Sequence, residues 1–336
     1  MWNAATGEKV QRYKLDRGGR GVVAIALSED GTVACVDNSN DHNVYFFKGS
    51  TGERIWKEKG DNNKIFDVCF NYGQGGELVA CTAGTKHIKF WTPHEQKVQK
   101  GLFGDMNLAT SFACCAFDDK GLAYTGGSNS NIYIWAGRSL KSRITEAHKG
   151  GFVCAMRFVD GFIYSGGKDG NVTLIDTSNH TVSKCISMGD LVRAIDVQGR
   201  NALVGLRNGT IYHVNLDSEE KKVVMESHSD GEVWGLASID GEHVITTADD
   251  NKVKVWKTSE RKCTQTGIVS TERRRAPKGG ASTLSQLPAS QQARAVSYHR
   301  GNNQVAVGHN DGTLSIRQLD KLDDFVAHNQ DSKEWI

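Results

Sequence analysis

Proline is nearly absent, at three residues in 336, so little of the chain is expected to lack regular structure. No stretch approaches the roughly 18 consecutive apolar residues that a membrane-spanning helix requires. The opening MWNAATGEKVQRYKL has no apolar segment of the kind that directs secretion. Neither sign of charge dominates, with 41 basic and 39 acidic residues and a net charge of +2, too balanced for a dedicated nucleic-acid binder. Also missing are a CxxC or Cys/His spacing suited to zinc, a glycine-rich phosphate loop leading into a helix, and a carboxylate pair outside a repeat. These absences leave no catalytic residue, metal ligand or cofactor to name, and the expectation is a non-enzymatic protein of the cytoplasm with neither membrane nor nucleic acid as partner. Eight cysteines are present, and Cys35, Cys69, Cys81, Cys114 and Cys154 sit in apolar stretches. They read as small buried hydrophobes in a reducing compartment. Cys114 and Cys115 should face opposite sides of one strand, so a bond between them is not expected.

What the chain does have is a rhythm. A glycine-containing turn runs into an aromatic-ended strand in YTGGSNSNIYIW, YSGGKDGNVTLI and ITTADDNKVKVW, about every 40 residues. Such a period marks stacked supersecondary units that cannot bury an apolar face alone. Aligning the copies on the end of the third strand places Trp2, Phe47, Trp91, Trp135, Ile175, Val214, Trp256 and Arg317 in one slot. Ahead of these slots lie seven apolar first strands, starting near residues 22, 65, 111, 152, 191, 233 and 294, as in VVAIAL and IFDVCF. Their composition suits strands buried on both faces. The expected fold is all-β, a β-propeller of about seven four-stranded WD40-type blades.

In such repeats a His, a Ser or Thr, an Asp and a Trp bond together and lock the blade. One copy keeps a full set: His228, Thr246 or Thr247, Asp250 and Trp256. Trp256 should therefore be buried, with a cost of about 3 to 5 kcal/mol on truncation to alanine. The copy with His148, Ser165 and Asp169 lacks the Trp, and those with Asp41 or Asp311 keep little beyond the turn carboxylate. A His-Ser-Asp trio invites a hydrolase reading, but here its members recur at repeat positions, where a structural role suffices.

Charge is uneven along the chain. Between Lys252 and Lys278, nine basic residues (Lys252, Lys254, Lys257, Arg261, Lys262, Arg273, Arg274, Arg275, Lys278) face only Glu260 and Glu272. The same region breaks the rhythm, and residues 268–292 read as an inserted basic surface loop. The loop is either a solvated insertion or an arm for an acidic partner, with Ser282 and Thr283 as modification candidates. The candidate partner-binding residues are Arg273, Arg274, Arg275, Lys278, Lys252, Lys254, Lys257 and Trp56. Trp56, in an outer strand, is either a partner contact or the cover of a blade edge.

Beyond the general repeat, RGVVAIALSEDGTVACVDNSNDHNVYFF, KIFDVCFN, KHIKFWT, EAHKGGFVCAMRFVDGFIYSGGKDG, HSDGEVWGLA and DNKVKVWKT occur in order. Together they resemble consecutive blades of the echinoderm microtubule-associated protein-like family. The resemblance covers nearly the whole chain. It implies a two-propeller, microtubule-associated module whose first propeller contributes to tubulin binding, with tubulin, microtubules and other cytoskeletal or axonemal proteins as partners and a cilium as one setting. The family's coiled coil, its motif ahead of the first blade and its second propeller are not present. Both ends read as cut within repeats, and the expectation is a piece of a longer tandem-propeller protein. A peptide-binding adaptor for another multiprotein complex is the alternative.

Overall fold

Short apolar strands joined by tight polar turns can bury their residues only by pairing with their neighbours in sequence, and this is the arrangement adopted. The computed structural model describes residues 1–16, 21–71, 77–104, 110–229, 231–269 and 292–329. Seven four-stranded sheets form, each an antiparallel meander in chain order. Blade 1 runs from strand Val22–Leu27 to Arg54–Glu58, blade 2 from Ile65–Asn71 to Lys97–Lys100, and blade 3 from Phe112–Phe117 to Ser139–Ile144. Blade 4 runs from Val153–Val159 to Thr181–Ser187 and blade 5 from Val192–Gln198 to Lys221–Met225. Blade 6 runs from Val233–Ser238 to Lys262–Ile268 and blade 7 from Ala293–His299 to Lys321–Asn329. The fold is all-β, a propeller of seven WD40-type blades, and no helix among the described residues is long and apolar enough to cross a membrane.

Two compact units make up the chain. Residues 1–207 with 212–222 hold blades 1 to 4 and most of blade 5; residues 208–211 with 223–336 hold blades 6 and 7. Within each unit the core lies between blades. Ala24, Val36, Phe46 of blade 1 meet Val68, Phe70 and Trp91 of blade 2, and Cys81 and Phe90 of blade 2 meet Phe112, Tyr133 and Trp135 of blade 3. In the second unit Ile245 and Val253 of blade 6 meet Val305 and Val307 of blade 7.

Blades approach so closely that some strand positions admit no side chain. A Cβ on Gly166 would lie 2.3 Å from Val192 Cγ1 and 2.9 Å from Val192 Cβ, in the neighbouring blade. Gly166→Ala is therefore expected to destabilise by about 1 to 3 kcal/mol through overpacking. Urea unfolding would check this, and an unchanged midpoint would show that blades 4 and 5 have room to part.

One expectation needs correction. First strands are not buried at every position: in blade 2, packed between blades 1 and 3, Phe66 is 41% exposed. Trp2, aligned with the third-strand slot, forms an isolated antiparallel bridge with Lys9, at the same offset by which Phe47, Trp91, Ile175 and Trp256 meet their fourth strands. The segment read as an inserted loop, including Arg273, Arg274, Arg275, Lys278, Ser282 and Thr283, falls almost wholly in residues 270–291, outside the described residues.

Candidate interaction site

Blade 6 shows how one repeat locks itself. Trp256 Nε1 donates to Thr246 Oγ1 at 2.7 Å, and Thr246 Oγ1 lies 2.8 Å from His228 Nε2. His228 Nδ1 lies 3.0 Å from Asp250 Oδ1, whose other oxygen accepts from the Ser229 backbone at 2.9 Å. One direction of donation satisfies the whole chain: indole to hydroxyl, hydroxyl to Nε2, and Nδ1–H to carboxylate. The histidine is thereby set as the Nδ1–H tautomer. Asp250 is held below the ordinary carboxylate range, burial being outweighed by the bonds from His228 and the Ser229 backbone. Thr246 is the partner; Thr247 faces elsewhere, and its buried hydroxyl has no hydrogen bond.

Blade 4 keeps the same chain without its tryptophan. His148 Nδ1 lies 3.0 Å from Asp169 Oδ1 and Nε2 lies 2.9 Å from Ser165 Oγ. The His148 side chain is 0% exposed and that of Asp169 5%, so no substrate reaches the trio, and its work is structural. In blades 2 and 3 the indole-to-threonine half persists, Trp91 to Thr82 and Trp135 to Thr125, each at 2.9 Å. Blade 7 fills the slot with Arg317, fully buried, whose Nη1 donates to Leu322 O at 2.6 Å. Asp41, read as a turn carboxylate, instead pairs with Lys59 at the surface; the buried turn carboxylate of blade 1 is Asp37, bonded to Ser39, Asn43 and Tyr45.

The lysines proposed as a basic patch are already engaged. Lys254 is buried at 6% exposure, donates to Ser227 O at 2.9 Å and lies over the Trp256 ring, so it is not a surface contact. Its strand is the third of the blade, enclosed on both faces, and the aliphatic stem packs there while the ammonium finds a carbonyl. Lys252 donates to Ser229 Oγ at 3.3 Å, and Lys257 pairs with Glu260 at 2.6 Å. Trp56 is half-buried, stacked on Phe46 at 5.7 Å and edge-on to Trp91 at 5.6 Å, so its ring covers the rim of the blade 1–blade 2 core. Four cysteines also differ from the reading as buried hydrophobes: Cys69, Cys154 and Cys263 are only half-buried and Cys185 is exposed.

A row of positions that sequence reading passed over stands out instead. The pairing of first with second strand slips at the same place in all seven blades, leaving the second residue of each first strand as a β-bulge. These residues are Val23, Phe66, Ala113, Cys154 and Arg193 in the first unit, and Trp234 and Arg294 in the second. A bulge re-aims the side chain it frees. Phe66 is 41% exposed and Trp234 51% exposed. Trp234 donates to Asp249 Oδ1 at 3.0 Å, and the same oxygen pairs with Arg294 Nη1 at 2.5 Å. The Arg294 guanidinium lies 4.5 Å from the Trp234 ring centroid. Tryptophan and arginine are the residues that most often carry binding energy at interfaces, and here both are held in place before any partner arrives. The signal in the sequence is the second residue of each first strand, visible only once the register is known.

Comparison with known proteins agrees with this architecture. The profile described as the echinoderm microtubule-associated protein first beta-propeller matches residues 1–201, and that of the WD domain, G-beta repeat matches residues 219–257. The ciliary WD repeat-containing protein ctxp80 of Euplotoides octocarinatus is 43% identical over 342 aligned positions, covering 100% of this chain and 47% of that protein. The 77 kDa echinoderm microtubule-associated protein of Strongylocentrotus purpuratus is 26% identical, covering 78% of this chain and 39% of its own length. Echinoderm microtubule-associated protein-like 1 of Mus musculus is 25% identical, covering 76% of this chain and 32% of its own length. The chain thus spans less than half the length of these relatives. With the propeller profile matched over residues 1–201 of 336, the chain belongs to the echinoderm microtubule-associated protein family.

Proposed function

We propose that this chain is a non-enzymatic scaffold of the microtubule cytoskeleton, meeting tubulin through the surfaces of its blades and through the basic segment around Arg273, Arg274, Arg275 and Lys278. The observation that carries this reading is the similarity along the whole chain to a protein named as ciliary, within a family named for microtubule association. A cilium or axoneme is accordingly one setting for it. Tubulin is strongly acidic, so attraction by the basic segment should weaken as the screening length falls from about 10 Å at 0.1 M salt to about 3 Å at 1 M.

Co-sedimentation with stabilised microtubules, at low and high salt and with or without the acidic tubulin tails, tests the proposal. Pelleting should fall with salt and with tail removal, and changing Arg273, Arg274 and Arg275 together to glutamate should reduce it further. Unchanged pelleting of that variant would remove the basic segment from the mechanism. A second reading, a peptide-holding adaptor for another multiprotein complex, is favoured by the exposed, hydrogen-bonded Trp234 and Arg294 pair. A folded chain that never pellets with microtubules would shift the weight to that reading.

A further inference from the structure

The interface of blades 2 and 3 brings three thiols together. Cys69 and Cys81 are direct cross-strand partners on the first two strands of blade 2, and Cys115 comes from the first strand of blade 3. Their three Sγ atoms lie within 4.8 Å of one another. Two are fully buried and Cys69 is half-buried, while Phe90, Phe112, Phe117 and Ala123 form the surrounding wall. Two hydrogen bonds hold the placement: the Cys115 backbone N–H donates to Asp67 Oδ2 across the blades at 2.9 Å, and Cys115 Sγ donates to Cys81 O at 3.7 Å.

From this geometry we infer a binding site for a soft monovalent d10 metal ion, Cu(I) being the biological case, coordinated by Cys69, Cys81 and Cys115. Thiolate donors select soft ions, and three sulfurs with no fourth donor in the cluster suit a trigonal ion rather than tetrahedral zinc. At a metal–sulfur distance of about 2.3 Å, an equilateral S3 set needs sulfurs about 4.0 Å apart. The three thiols therefore need to close by less than about 1 Å, within the reach of small side-chain rotations. The aromatic wall keeps water and oxidant from the bound ion. Each metal–thiolate bond that forms releases one thiol proton to solvent, and no electron is transferred.

The test is anaerobic titration of the reduced, full chain with Cu(I) in competition with a chromogenic Cu(I) chelator, followed by X-ray absorption of the loaded protein. One Cu(I) per chain should resist the chelator, with three sulfurs at about 2.3 Å. Cys69→Ser, at the half-buried position, should weaken retention at least tenfold while keeping a cooperative unfolding transition. Cys35→Ser and Cys185→Ser should change nothing. Copper that the chelator removes completely, a coordination number other than three sulfurs, or full retention by a folded Cys69→Ser chain would each overturn the site.

Discussion

Trp135→Ala is expected to lower the unfolding free energy by about 3 to 5 kcal/mol, the larger of the two principal effects. The side chain is wholly buried, and its indole N–H is spent on Thr125 Oγ1. Its ring meets Phe103 at 5.3 Å, Phe112 at 6.0 Å and Phe90 at 6.3 Å, so truncation opens a void between blades 2 and 3 and leaves the Thr125 hydroxyl without that donor. Urea unfolding followed by circular dichroism measures the effect, and a loss below about 1 kcal/mol would mean this aromatic cluster is not the core it resembles.

The second large effect belongs to His148. His148→Ala should cost about 3 kcal/mol, because it strands the buried Asp169 carboxylate and Ser165 hydroxyl that the imidazole joins. A pH signature accompanies the loss. Burial pushes the His148 pKa below its ordinary 6.5, only partly opposed by Asp169, so the native state binds this proton less readily than the unfolded chain. Stability from this residue is therefore complete above about pH 6.5 and falls as pH drops below it. Asp169 works in the same direction at lower pH: burial is outweighed by bonds from the Lys149 backbone and His148, its pKa is lowered, and its contribution fades as pH falls through the carboxylate range. Melting temperature measured from pH 7.5 to pH 5 should decline in the native chain, and part of that decline should vanish in His148→Ala. Parallel pH profiles for the two proteins would refute the assignment.

Much of the fold was legible from spacing. The residues chosen as the third-strand slot do occupy one register position: Phe47 pairs with Val33, Trp91 with Ala80, Trp135 with Ala123, Ile175 with Ile163, Trp256 with Val244 and Arg317 with Val305. Strand phase survives in sequence because a slip of one residue would turn every apolar side chain to the other face. The blade 6 network was equally readable, since its four members sit at fixed offsets from that slot.

Lys254 was misread for a related reason. Charge in a sequence suggests surface, yet a third strand enclosed on both faces leaves Lys254 only the choice of which carbonyl to meet. Offsets within one repeat also could not separate Thr246 from Thr247, because adjacent strand residues differ only in the face they present.

Period, strand pairing and the locking residues were thus determined by the sequence alone, since each is an interaction within one repeat, over some tens of residues. Only the tertiary structure decided what lies between repeats. The stack of Trp234 and Arg294, the gathering of Cys69, Cys81 and Cys115, and the exclusion of a side chain at Gly166 each need two blades set side by side. No spacing along the chain encodes that distance, because it is the packing of one sheet's face on the next that fixes it.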